Sequence, residues 1–256
     1  MAGLGVLVRK ELLESWRTLR LPIIGGLFVL VGLTSPLLAK FLPEIVKAAG
    51  GDQFPIGAIP TPVASDAIDQ LWKNLAQFGA FAAIILAMGA VSGELDRGTA
   101  AFVLSKTATR GAFLASKVVA IAALLGLSTV AAVTLGWFYT AILFEPPAIA
   151  GWVALAGLAW LGLCAWAAIT FLGSVATDST AAAAGIGFAA LLVLSIASAI
   201  PNISRFVPGG LAEPAVALAA GTPVSAGDIL VPVASTAVLI VAALALAAWS
   251  FRRREI

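Results

Sequence analysis

Residues 93–117 read GELDRGTAAFVLSKTATRGAFLASK, and this stretch decides how the rest of the chain is read. It holds Glu94, Asp96, Arg97, Lys106, Arg110 and Lys117 between apolar runs long enough to cross a bilayer. A membrane span needs about 20 mostly apolar residues, because every backbone polar group must be paired inside the helix. Charges at this density therefore mark the place where the chain leaves the membrane and turns back. The segment is longer than a hairpin turn requires. Thr99 is an N-cap candidate for a short helix over Thr99–Ser105, and Thr107 or Thr109 is a cap candidate for the apolar run that follows.

Composition places the chain in the same class. Of 256 residues, 61% are hydrophobic and 11% charged, and the mean hydropathy is +1.06. Soluble globular domains lie far from these values. The fold class predicted is all-α, a polytopic membrane protein. A single cysteine, Cys164, and no histidine exclude a disulfide framework and any histidine-based metal or triad site. The net charge of +2 is too small to suggest a nucleic-acid partner. No charged leader with a short apolar core and a small-residue cleavage site opens the chain, so no cleaved signal peptide is expected.

Six apolar runs follow from the pattern, at about 21–40, 71–92, 112–143, 151–173, 180–200 and 229–250. Ahead of them, residues 1–20 place Leu4, Val8, Leu12, Trp16 and Leu19 on one helical face. Lys10, Glu14 and Arg17 lie on another and can pair at i,i+4 and i,i+3. Such a helix lies in the membrane interface, with Trp16 at headgroup depth. Residues 48–66 are rich in Gly, Pro and turn formers and read as an ordered loop. Asp178 or Ser179 is the cap candidate for the fifth run, whose AAAAGIGFAA stretch offers a face small enough for close helix packing. Residues 201–228 are too broken by proline to cross the membrane. Within them, Ala212–Ala220 predicts a short helix with Glu213 as cap and Pro214 at its first position.

Glu94, Gly98-Thr99, an apolar stretch ending in Leu104-Ser105, then Arg110 and Lys117 together resemble the first cytoplasmic loop of type-2 ATP-binding-cassette (ABC-2) exporter permeases. In that family the pattern runs Glu, Gly-Thr, a few apolar residues, Pro, Arg and Gly-Lys. Thr107 stands here where Pro is common, and Ser116 where Gly is common. The resemblance implies a coupling helix over Thr99–Ser105 within a 93–111 coupling loop, docking on a separate ATPase subunit. Glu94, Arg97, Thr99, Phe102, Leu104 and Arg110 would carry that contact. It further implies that residues 1–20, with Trp16 and Arg17, form an elbow helix, and that 201–228 is an outer re-entrant segment. A terminal Phe251-Arg-Arg cluster is also common in the family.

Six spans place both termini on one side with the 93–117 segment. That side holds Arg9, Lys10, Arg17, Arg20, Arg97, Lys106, Arg110, Lys117, Arg252, Arg253 and Arg254, eleven of the fifteen cations. The positive-inside rule makes this side cytoplasmic, in a plasma-membrane protein. No G-x-x-x-x-G-K-[ST] motif is present, so ATP is expected on the partner ATPase and no cofactor on this chain. No span centre carries an ionisable residue, which argues against an ion-coupled transporter. Ser105-Lys106 are adjacent and lie at the water boundary, which does not make a catalytic pair. The reading is a permease that pairs with a second copy or a close homologue and switches between inward and outward access. The alternative is a membrane scaffold or assembly factor that recruits a cytoplasmic partner through the same loop.

Overall fold

The computed structural model describes residues 2–48, 61–96, 98 and 109–253. Its helices are α1 (Ala2–Arg17), α2 (Arg20–Ala48), α3 (Ala64–Met88), α4 (Ser92–Asp96) and α5 (Arg110–Leu143). They continue as α6 (Ile149–Ala176), α7 (Thr180–Ser198), α8 (Ala212–Ala219) and α9 (Ala226–Arg253). Six are long and apolar enough to cross a membrane: α2, α3 running on into α4, α5, α6, α7 and α9. Among the described residues there is no strand. The protein is an all-α polytopic membrane protein.

Each boundary has a local cause. Thr109, rather than Thr107, caps α5, its Oγ1 accepting the Ala112 N–H at 3.1 Å. Ser179, rather than Asp178, caps α7, its Oγ accepting from Ala182 at 3.3 Å. Both satisfy a first-turn N–H that has no helical acceptor. Two helices reach furthest beyond the apolar spans, α2 at its end and α3 at its start. α2 passes Lys40 and runs to Ala48, with Pro36 and Pro43 inside it. One lysine limits the membrane, not the helix: Lys40 Nζ sits 4.8 Å over the Phe144 ring, and Phe41, Leu42 and Ile45 continue the apolar pattern beyond it. α3 begins at Ala64, where the Asp66 carboxylate accepts the Val63 N–H at 2.9 Å.

The turn between α1 and α2 rests on one residue. Leu19 has φ 60°, a left-handed conformation between α1 and α2 that costs an L-residue about 1–2 kcal/mol. Trp16 and Leu13 stay exposed on α1, while Ser15 turns inward and Leu12 packs against the core.

α6 is the central helix, packing against α3, α5, α7, α8 and α9. Its buried Trp152, Leu155, Leu163, Phe171 and Val175 are the middle of the core. α2 and α5 cross so closely that a Cβ on Gly32 would lie 2.9 Å from Ala132 Cα and closer still to the Ala132 carbonyl oxygen. A similar approach joins α6 to α8, where a Cβ on Gly151 would overlap the Leu218 carbonyl. In the small-residue stretch of α7, Ala183 and Gly187 are buried, Gly187 against Thr170 of α6 and Ile84 of α3, whereas Gly185 faces open space. At the end away from the termini, 3-10 turns Ser204–Phe206 and Pro208–Leu211 lead into α8. The second turn runs directly into the helix, so the cap is Leu211 and not Glu213, and Pro214 is the third helical residue. Proline fits there because first-turn N–H groups lack helical acceptors.

Candidate functional site

The site is built at the end of the bundle that carries both termini. α3 stops at Met88 and the chain resumes as α4 at Ser92. The break frees backbone N–H groups, and α6 supplies their acceptor: Ser174 Oγ takes the N–H of Val91 and of Ser92, both at 3.0 Å. Ser92 Oγ donates to the Met88 carbonyl at 2.8 Å and lies 3.3 Å from Thr180 Oγ1 at the start of α7. A buried bend left without acceptors would cost about 1–3 kcal/mol for each polar group. Here three elements hold the bend in place.

The bend turns Glu94 into the protein, leaving it only 8% exposed. Lys117 reaches it from α5, two turns beyond the Thr109 cap, with its side chain 3% exposed. Lys117 Nζ lies 2.7 Å from Glu94 Oε1 and 3.1 Å from Glu11 Oε1 of α1. Lys10 adds contacts of 3.3 Å to Glu94, 3.2 Å to Glu11 and 3.3 Å to Glu14. The Phe113 ring lies 5.0 Å below the Lys117 ammonium, an added attraction between the cation and the ring face. A cavity of about 30 Å³ borders the cluster, lined by Glu11, Glu14, Ser15, Arg20, Glu94 and Lys117 among others. It is large enough for a water molecule.

The electrostatics follow from burial. Two ammonium groups balance carboxylates that come from two separate helices, and neither side is affordable alone in a low-dielectric site. Burial pulls the pKa of Lys10 down, but Glu11, Glu94 and Glu14 outweigh it, and Lys10 is held above the ordinary lysine range. Carboxylate oxygens of Glu11, Glu14 and Glu94 lie within 4.8 Å of one another, a spacing that could hold a metal ion. Lys10 and Lys117 already supply positive charge at that point.

Arg110 fastens a further element. Its guanidinium donates to the carbonyls of Phe251 at 3.3 Å and Arg252 at 3.0 Å, at the negative end of α9. Phe113 and Phe251 stack beside it at 5.7 Å. The start of α5 is thus tied to α1, α4 and α9 within its first two turns.

The candidates named from sequence separate into three groups. Glu94 and Arg110 stand in these contacts. Trp16 and Arg17 lie exposed on α1. Arg97, Thr99, Phe102 and Leu104, and with them the Thr99–Ser105 helix, lie outside the described residues. Gly98 is described and has φ 66°, with its N–H donating to Leu95 at 3.0 Å, so the Gly of the Gly98-Thr99 pair ends α4 in a conformation suited to glycine.

Read from sequence, Lys117 belongs to the family pattern but not to the contact residues, Glu11 is not singled out, and Lys10 falls on the polar face of α1. A signal for Lys117 was available. An ammonium two turns inside an apolar helix cannot remain unpaired, so a carboxylate had to be found for it. Nothing local identifies Glu11 as one of its partners.

A family model described as ABC-2 family transporter protein matches residues 6–256. The chain is also similar to YxlG, an uncharacterized transmembrane protein of Bacillus subtilis strain 168. The two are 28% identical over 214 residues, covering 82% of each.

Proposed function

Because the chain belongs to the ABC-2 family of transporter proteins and is a membrane component of such a transporter, we propose that it is the permease half of an ATP-driven exporter. A separate ATP-binding-cassette subunit binds and hydrolyses ATP, and docks on the 99–105 segment. The observation that carries this reading is the Glu94–Lys117–Glu11 contact. The segment between Asp96 and Arg110 joins α4 to α5, so a force applied to it reaches both. The 2.7 Å ion pair makes those two ends move together, and Glu11 adds α1 to the moving unit. The bend at Gly89–Val91, held by Ser174, is the place where this unit can tilt against the rest of α3. Repeated tilting would alternate access between the two faces of the membrane.

A second permease copy, or a close homologue, completes the pathway. This is supported by α7, whose apolar window is only 11% buried within one chain and leaves Leu192, Val193 and Ile196 exposed. The end bearing the termini is cytoplasmic, on the strength of eleven cations against four. In a Cys164→Ala background, a cysteine at Ser179 should then react only from the cytoplasm and one at Thr222 only from outside. Labelling of both from the same face of sealed vesicles would refute this orientation.

The coupling role is tested on Phe102 and Glu94. Phe102→Asp should leave the protein inserted and stable but release the ATPase. Losing one buried aromatic anchor from a small interface costs a few kcal/mol, about a hundredfold in affinity. Glu94→Ala should keep the ATPase bound and impair transport, because Lys117 loses its partner on α4. The measurements are co-purification of the ATPase and substrate-stimulated ATP hydrolysis with each variant. Full ATPase binding and full transport by Phe102→Asp would leave a scaffold role as the better reading.

A further inference from the structure

α5 and α9 meet at the termini end, through the Phe113–Phe251 stack and the Arg110 hydrogen bonds, with α6 beside them. Above that contact lies an apolar groove of about 230 Å³ between the three helices, with Val118, Ile121, Cys164, Phe171, Ile240 and Leu244 in its walls. Trp160 also lines it, its Nε1 donating to the Ala122 carbonyl of α5 at 2.9 Å and its ring lying against Gly126. Phe171 and Trp160 are three turns apart on α6, so the groove is about 16 Å long. One leaflet of a bilayer supplies about 15 Å of hydrocarbon. The groove therefore has the length of one acyl chain, and its lining residues Val118, Trp160, Ile240 and Leu244 are not fully buried, so a lipid chain can reach it.

Its termini end carries charge. Arg252 and Arg253 are exposed on the last turn of α9, beside Arg110. Counted along α9, they stand about 12–20 Å from Ile240 and Leu244. A lipid whose tail lies in the groove brings its headgroup to their level. We propose that this groove binds one anionic phospholipid from the leaflet on the termini side, with a chain over Cys164 and the phosphate at Arg252 and Arg253. This inference requires only that the protein spans the membrane, and it stands apart from the coupling reading.

The test uses the full-length chain reconstituted in vesicles of equimolar phosphatidylcholine and phosphatidylglycerol, then extracted gently and weighed intact by native mass spectrometry. One phosphatidylglycerol should be retained per chain, enriched over phosphatidylcholine by about tenfold or more, as two arginines near the headgroup plane imply. Arg252→Ala with Arg253→Ala should keep a bound lipid but lose the enrichment. Ala122→Phe, at a half-buried position on the groove wall, should remove the lipid altogether. Cys164 is the only cysteine and gives a second readout. Its reaction with an apolar maleimide should be several-fold slower in the mixed vesicles than in phosphatidylcholine alone. Equal retention of the two lipids, retention undiminished by Ala122→Phe, or a maleimide rate indifferent to phosphatidylglycerol would each overturn the proposal.

Discussion

Lys117→Met is expected to lower the unfolding midpoint of the detergent-solubilised protein by roughly 10 °C, the largest effect of any single charge removal in this chain. The side chain is 3% exposed and is the cation closest to both Glu94 and Glu11. Methionine matches its length and removes only the ammonium. Two carboxylates then face each other across the α1–α4 contact, with the half-exposed Lys10 as their shared cation. Removing one partner from a buried ion pair costs about 3–5 kcal/mol, because the remaining charge stays desolvated. Lys117→Met combined with Glu94→Gln should recover most of that loss, since it removes one charge of each sign. Differential scanning fluorimetry on the three proteins measures this directly. An unchanged midpoint for Lys117→Met would mean that the cluster is not a buried ion pair in the folded protein.

Gly32→Ala is expected to be nearly as damaging, although it adds one methyl group. The obstacle is the backbone of Ala132, whose Cα would lie 2.9 Å and carbonyl carbon 3.0 Å from the new Cβ. A flexible side chain can move aside; a helix backbone cannot. α2 would have to move away from α5, and it also buries Phe28 and Ser35, which face Gly79 and Asn74 of α3. Overpacking of this kind costs about 1–3 kcal/mol when neighbours can adjust, and this position belongs at or above the top of that range. Gly185→Ala is the matched control. Nothing lies within 4 Å of its Cβ position, so better helix propensity should make it neutral or stabilising by up to about 1 kcal/mol. Yields of monodisperse protein and unfolding midpoints for the two variants give the comparison. Equal behaviour of Gly32→Ala and Gly185→Ala would show that α2 and α5 do not cross at Gly32.

The contrast between those glycines divides what was legible from what was not. An all-α chain with six apolar helices could be read from sequence because the preference of a segment for lipid is a sum over its own residues. Capping behaves the same way. Thr109 and Ser179 each serve an N–H three residues on, and both were among the candidates. The ABC-2 resemblance rested on the spacing of Glu94, Gly98-Thr99, Arg110 and Lys117, which is also local. Helix ends were harder, because α2 outlasts its membrane-compatible stretch and apolarity reports the membrane rather than the helix.

Glu94 was recognised as a residue of interest at a water boundary, yet its burial and its partners were not. Its position follows from a bend whose N–H groups are accepted by Ser174, far along the chain on α6. Glu11 enters only because Leu19 turns α1 back against α5. The sequence by itself determined the helices, the membrane class and the family, since each depends on residues near one another in the chain. Only the tertiary structure decided that Glu11, Glu94 and Lys117 meet, and that Gly32 admits a backbone while Gly185 admits none. The energy of an ion pair or a packing contact falls steeply with distance in space, and distance in space is not a property of sequence position.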